Sequence, residues 1–290
     1  MSIIRAIAAA GLLAGVAAGP ALADPGVRID HAAARVVVIA EARSDYAITI
    51  DQGHAGLKPL QIVKDGGVTV VDGGYGGPAG WGWAFGNFGL NCRGPMGHER
   101  VSIPGRGEVA VADLPLITIH APLDAHIGAG QAVFGEVSGA RSLDLGDAGC
   151  GDWRIGDVHG PVHVAVSGSG DVRGGNVGDA HIAISGSGDV TLGAVNGGLE
   201  THTSGSGDIR VAAVSGPINT KISGSGDVVV DGGNAPNVGV AIAGSGDLKF
   251  RGTAGAVSVS IAGSGDVEVA RATGPISKHV AGSGDVVIGR

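Results

Sequence analysis

The tetrapeptide Gly168-Ser169-Gly170-Asp171 decides the fold, because it returns through the C-terminal half of the chain at a nearly constant interval. Further copies end at Asp189, Asp208, Asp227, Asp247, Asp266 and Asp285, and Gly149-Cys150-Gly151-Asp152 is an earlier copy with Cys in the Ser position. Subtraction of residue numbers gives 18 to 20 residues between successive aspartates. A fixed period of about 20 residues predicts a solenoid, in which each repeat forms one rung and buries its apolar side against its neighbours.

The segments that flank the tetrapeptide have the pattern of half-buried β-strands. Large apolar residues alternate with small or polar ones in Val164-Ala165-Val166 before a copy and in Val190-Thr191-Leu192 after the next. A third apolar position follows near Val195, so each rung has three apolar sides. Parallel strands joined by crossovers are almost always right-handed. We therefore predict an all-β fold: a right-handed parallel β-helix with rungs of about 19 residues over residues 123–290.

The stretch from 24 to 122 lacks this repeat and is predicted to form a small irregular β region. Within it, Lys64-Asp65-Gly66-Gly67 lies between two apolar segments and predicts a hairpin turn. The segment at about 73–100 is rich in glycine and holds most of the aromatic residues, which predicts a loop. We expect this loop to cap the open N-terminal end of the solenoid, because a bare end exposes core and unpaired strands. Stacking on sugar rings or binding a partner is the alternative.

The N-terminus has the layout of a secretory signal peptide over residues 1–23. Arg5 precedes an apolar stretch, and Ala21-Leu22-Ala23 supplies a small-x-small cleavage site. The apolar stretch is too short to span a bilayer, and no later segment is long enough. The sequence thus predicts export to the periplasm or the exterior, with no membrane span after cleavage.

Composition argues against two classes of partner. The formal net charge is −8, from 19 basic and 27 acidic residues without basic clusters, which speaks against nucleic acid and anionic membranes. Glycine accounts for 57 residues while aromatics make up only 3%. A core built from small and β-branched residues suits a narrow stacked coil.

The two cysteines of the chain, Cys92 and Cys150, are candidates for a disulfide in an oxidising compartment. Closing a loop of about 58 residues would stabilise the fold by about 4 kcal/mol on the chain-entropy model. The alternative is a pair of buried, unpaired thiols. A metal site is disfavoured, since neither cysteine has the spacing of a zinc ligand pair.

The repeated aspartates are predicted to stack in a column, which admits two interpretations. They are Asp152, Asp171, Asp189, Asp208, Asp227, Asp247, Asp266 and Asp285. In the structural interpretation, the glycines adopt positive φ and each Asp accepts hydrogen bonds from N–H groups of the turn. In the other interpretation the column binds calcium, although the nine-residue calcium repeat is absent. We favour the structural interpretation and predict no cofactor.

A second column, eight residues before each Asp, contains His163, His181 and Glu200. Two imidazoles and a carboxylate could hold a transition metal. The column continues into glycine and serine, which favours a solvated polar side, so these residues are weak metal candidates. His202 and His279 are expected to lie elsewhere in the rung.

The sequence predicts no catalytic residues, because no His and carboxylate recur with the corner serines in a triad-like arrangement. Basic residues two positions after the Asp are expected to offset the acidic column rather than bind a polyuronate. These are Arg154, Arg173, Arg210 and Lys249.

The repeated Ser-Gly-Ser-Gly-Asp-Val sequence behind an exported N-terminus resembles the head GIN domain family, whose members are labelled autotransporter adhesins. The resemblance covers roughly residues 30–290 and is strongest over 149–285. It implies a β-helical exported protein, with no family catalytic residues to assign.

We therefore expect a non-enzymatic exported β-solenoid that serves as a cell-envelope or secreted scaffold or adhesion-type binding module. Its partner would be an envelope protein or a glycan, and the uncapped C-terminal rung could pair with another copy. The alternatives are a polysaccharide-active β-helix enzyme and a calcium-stabilised structural rod.

Overall fold

The computed structural model describes residues 26–75, 90–93 and 100–290, and its regular structure is almost entirely β. The predicted signal peptide and most of the glycine- and aromatic-rich loop, with its predicted capping role, lie outside these ranges. The N-terminal part contains β1 (Val27–Glu41), β2 (Ala47–Asp51), β3 (Gln61–Asp65), β4 (Val68–Asp72), β5 (Asn91–Arg93), β6 (Arg100–Ile103), β7 (Gly107–Ala110), a short 3₁₀ helix (Val111–Asp113) and β8 (Leu116–Pro122).

The remaining strands form the rungs of a parallel solenoid. They are β9 (Asp124–Ser138), β10 (Ser142–Gly149), β11 (Trp153–Ile155), β12 (Val162–Val166), β13 (Val172–Gly174), β14 (Ala180–Ile184), β15 (Val190–Val195), β16 (Leu199–Thr203), β17 (Ile209–Val214), β18 (Ile218–Ile222), β19 (Val228–Val230), β20 (Asn234–Ile242), β21 (Leu248–Ile261), β22 (Val267–Ala272), β23 (Ile276–Val280) and β24 (Val286–Ile288).

Three parallel ladders run along the solenoid, which confirms the predicted three-sided rung. The first joins the strands before each tetrapeptide in the order β10, β12, β14, β16, β18, β20, β21 and β23. The second joins the strands after it in the order β11, β13, β15, β17, β19, β21, β22 and β24. The third is a narrow ladder of bridges from Val158 through Val177 and Val195 to Val214.

The core is a column of apolar side chains inside the coil. In β12, Val162, Val164 and Val166 are buried while the residues between them are exposed, and β14 and β18 also alternate buried with more exposed residues. Because rungs stack in register, each core residue packs on its equivalent above and below. Two polar residues of the core pair with each other, since the buried hydroxyl of Thr201 hydrogen-bonds that of Thr220 at 3.1 Å.

The parallel stacking continues across residue 123 into the N-terminal region. Strand β1 pairs in parallel with β8, β9 and β4, so residues 27–41 already form part of the stack. The predicted hairpin is present as the antiparallel pair β3–β4, with Gly66 and Gly67 at φ of 54° and 96°. Strand β2 adds antiparallel to β8, and β5, β6 and β7 form a separate antiparallel sheet. This is the irregular β region that the sequence predicts.

The predicted disulfide between Cys92 and Cys150 is present, with the two Cα atoms 5.8 Å apart. It joins β5 to the first rung that carries a copy of the tetrapeptide. Through this bond the small antiparallel sheet is covalently attached to the solenoid. Among the described residues we find no helix with the length and hydropathy that crossing a bilayer requires.

Candidate functional site

The Gly-Ser-Gly-Asp copies, which we call corners, stack directly on one another. The N–H of Ser187 donates to the carbonyl of Gly168 in the preceding corner at 2.9 Å, and the next corners repeat this bond. A Cβ atom on Gly205 would lie 1.8 Å from the carbonyl oxygen of Gly186. Glycine is therefore required because adjacent backbones approach closely.

The predicted positive φ at the corner glycines is wrong. Gly168, Gly170 and their equivalents all have φ outside the left-handed region. The turn closes without positive φ at these glycines. The absence of a side chain instead allows the backbones of neighbouring rungs to approach closely. The physical requirement for glycine lies between neighbouring corners, not within one.

The corner aspartates form a continuous hydrogen-bonded column. One carboxylate oxygen of each Asp accepts the backbone N–H of the Asp in the next corner. The bonds from Asp171, Asp189, Asp208, Asp227, Asp247, Asp266 and Asp285 to the preceding carboxylates are 2.7–3.0 Å long. Each carboxylate thereby links two rungs, since an ionised acceptor forms a stronger bond than a neutral one.

We predict that Asp208→Ala lowers the free energy of unfolding by about 1 kcal/mol, because it leaves the N–H of Asp227 without its acceptor at 2.8 Å. Asp208→Asn retains an acceptor oxygen and is expected to lose less. Urea denaturation followed by circular dichroism measures both variants. Equal losses in the two variants would contradict a role for the inter-rung bond.

The basic residues beside the corners only partly offset this acidic column. Arg173 lies 3.8 Å from a carboxylate oxygen of Asp152 and 3.0 Å from one of Asp171. Two of the other predicted residues contact different partners, so that prediction is wrong for them. Arg210 contacts Asp231 at 2.6 Å, and Lys249 contacts Glu268 at 2.9 Å.

A second group of polar residues occupies the outward side of the first ladder. We call it the histidine face, and it comprises His126, Asp144, His163, His181, Glu200 and His202. The first five lie in register on strands that pair in the order β9, β10, β12, β14 and β16. The alternation of the strands directs these side chains outward while their neighbours fill the core.

The centre of the histidine face is compact. The Nδ1 atom of His181 lies 3.2 Å from Oε2 of Glu200, and Nε2 of His202 lies 3.9 Å from Oε1 of the same carboxylate. The ring centroids of His163 and His181 are 5.2 Å apart, and those of His181 and His202 are 5.6 Å apart. Among the described residues, only His181, Glu200 and His202 bring three metal-ligating side chains within 4.8 Å of one another.

His202 lies outside this column, as expected, in register with Ala183 rather than His181, but its side chain still reaches Glu200. It follows Glu200 by two residues on β16, and side chains two apart on a strand point to the same side of the sheet. Alignment on the corner aspartates groups residues by column and does not show that His202 lies diagonally next to His181. His279 does lie four rungs away, in register with Ser260 and beside Ser277 on its strand.

One buried acid was not identified from the sequence. Asp147 is 2% exposed and lies in register between Ala129 and Val166, at a position where later rungs carry valine, isoleucine or threonine. Its pKa is raised to about 7, mainly by burial and also by the charge of Asp152, while the N–H of Gly149, which donates at 3.0 Å, acts in the opposite direction. Its other carboxylate oxygen has no hydrogen-bond partner among the described residues.

The ladders and the stacked corners define a parallel β-solenoid protein, a class in which each rung contacts only its neighbours. Residues 116–233 and 196–289 match the family described as "Putative auto-transporter adhesin, head GIN domain", and the chain belongs to this family. No curated protein and no solved structure matches it. The family description and the disulfide are those of an exported protein.

Proposed function

We propose that this chain is a non-enzymatic adhesion or scaffold module, exported to the cell envelope or the exterior. The family description names an adhesin. The most regular polar feature of the solenoid, the Asp column, supports the same conclusion because its carboxylates bind backbone N–H groups of the next rung. A rigid rod held in this way displays outward side chains at a fixed spacing.

The observation that carries the proposal is a shallow groove along the outward side of the first ladder. Its polar lining residues are Asn219, Asn237, Ser258 and Ser277, which lie among small and apolar ones, and we call these four residues the polar strip. They lie on β18, β20, β21 and β23, so the strip crosses four successive strands of the ladder. Amide and hydroxyl groups repeated along a rigid sheet can hydrogen-bond an extended partner without large rearrangement. We propose a glycan or an extended segment of an envelope protein as that partner.

A glycan array probed with the full chain, together with capture from envelope extracts, tests this function. We expect a reproducible ligand whose binding is lost in Ser258→Arg, which places a bulky charge on the polar strip. Thr191→Arg is the matched control, since Thr191 is also exposed but lies on the second ladder. The absence of any ligand, or equal loss in both variants, would contradict the proposal. Cleavage of a polysaccharide would favour the enzyme alternative.

We also propose that the last described rung pairs with a second copy of the chain. Among the described strands, β23 pairs only with β21 and β24 only with β22, so one edge of each is open. Val287 on β24 is 63% exposed, and the exposed Val280 ends β23. An open parallel edge with apolar side chains is a template for pairing with another strand.

Sedimentation of the full chain is expected to show association that increases with concentration. Val287→Lys should abolish it, because a charged side chain on an edge strand disfavours edge-to-edge pairing. Val229→Lys occupies the same column in the interior of the rod and should leave association intact. A strict monomer at high concentration would contradict self-association.

A further inference from the structure

We propose that His181, Glu200 and His202 form a binding site for a divalent transition-metal ion of the zinc or copper type. The site lies on the histidine face, on strands β14 and β16, and is distinct from the polar strip and the corners. It is independent of the proposed adhesion function. The inference rests on the distances between donor atoms, on the rigidity of the strands and on the chemistry of the three side chains.

The donor atoms already have nearly the spacing that a metal requires. A tetrahedral ion with bonds of about 2.0–2.1 Å places its ligand atoms about 3.3 Å apart. Nδ1 of His181 and Oε2 of Glu200 are 3.2 Å apart, which matches the separation of two ligands on one ion. Nε2 of His202 is 3.9 Å from Oε1 of Glu200, and all three ligand atoms lie within 4.8 Å of one another. Small side-chain rotations would bring the third donor into position.

The backbone holds these ligands in place. His181 and Glu200 are register partners in the parallel pair β14–β16, and Glu200 and His202 are separated by one residue on β16. Sites built on strands of a scaffold are more precise than sites on loops. The ligands therefore need no folding of a loop to converge.

The side chains are open enough to admit a hydrated ion. The exposed fractions of the His181, Glu200 and His202 side chains are 37%, 49% and 34%. Three protein ligands leave the fourth tetrahedral position to water or to a bound group, as in zinc sites with an open position. His163, whose ring centroid is 5.2 Å from that of His181, adds a third imidazole next to the cluster.

The donor set selects the class of metal. Two imidazole nitrogens and one carboxylate oxygen suit zinc and copper, with copper binding more tightly in the usual order of affinities. Calcium and magnesium prefer six or more oxygen ligands and are poorly served by imidazole. We therefore expect Zn²⁺ and Cu²⁺ to bind and Ca²⁺ not to compete.

Isothermal titration of the full chain with Zn²⁺ tests the site. We expect one saturable site at the histidine face, weakened by at least about tenfold in His181→Ala and in His202→Ala, because even loss of an outer-shell partner costs 10–100-fold. Glu200→Gln should weaken it as well, while removing only the charge of that ligand. Circular dichroism verifies that these exposed substitutions leave the β fold intact.

His279→Ala is the matched control, because His279 occupies the column of His202 but is flanked by serines. It should bind Zn²⁺ as the unsubstituted chain does. X-ray absorption at the zinc edge should report two imidazole ligands. The absence of saturable binding, an equal loss in His279→Ala, or competition by Ca²⁺ at similar concentration would overturn the proposal and leave the cluster as a hydrated ion-pair network.

Discussion

Gly205→Ala is expected to lower the free energy of unfolding by at least about 3 kcal/mol, which is at the upper end of the usual cost of overpacking a core. The added Cβ would lie 1.8 Å from the carbonyl oxygen of Gly186, which is backbone and cannot rotate away. The two rungs must separate there, and this disrupts the hydrogen bond of 3.0 Å from the N–H of Ser206 to that same carbonyl. Urea denaturation followed by far-ultraviolet circular dichroism measures the loss.

Gly146→Ala is the matched control for this substitution. A Cβ atom on Gly146 meets no atom within 4 Å, and the residue does not have positive φ. It lies on β10 within the same solenoid, so any general effect of alanine on the strands would appear there too. We expect its stability to be unchanged or raised by about 0.4–1 kcal/mol, because alanine has less freedom than glycine in the unfolded chain. Similar losses in both variants would contradict the close-approach explanation.

Asp147→Asn is expected to stabilise the protein at pH 8 by about 4 kcal/mol and to have little effect near pH 4. The pKa of Asp147 is raised from 3.8 to about 7, mainly by burial. The native state therefore binds a proton more tightly than the unfolded state does. The contribution of this residue to stability falls as the pH rises from about 4 to about 7 and is constant above that range. Asparagine cannot ionise, and its amide oxygen can still accept the N–H of Gly149.

Thermal and urea unfolding of the two proteins across pH 4–8 test this dependence. Asp144→Asn controls for the loss of one negative charge, because Asp144 lies on the outward side of the same strand. The stabilisation by Asp147→Asn relative to the unsubstituted chain should grow with pH by far more than any change in the Asp144→Asn difference. A difference for Asp147→Asn that does not vary with pH would show that folding does not raise the pKa of its carboxyl group.

The sequence predicted the rungs well because in a solenoid the register follows directly from the period. Once the corner aspartates are aligned, Val166 must lie in register with Ile184, and the structure places them so. The same logic could not detect β1 as part of the stack, since residues 27–41 carry no corner sequence. There, the pairing is set by contacts far apart in the chain.

The errors at the site have equally physical reasons. A regular spacing of glycines does not show whether glycine is needed for a left-handed backbone or for close contact with a neighbouring backbone. At Gly168 the reason is close contact with the preceding corner. The three-residue cluster was not identified because His202 belongs to a neighbouring column and approaches His181 only diagonally. Asp147 could have been identified by its position, since it replaces the β-branched residues of later rungs.

Because each rung contacts only the two rungs beside it, the solenoid can change in length by whole rungs. Tandem duplication or loss of one unit, such as the residues between Asp189 and Asp208, would add or remove a turn, and only the turns beside it would have a new neighbour. The length of the solenoid can therefore change by whole turns during evolution, and binding surfaces on distant turns can change independently.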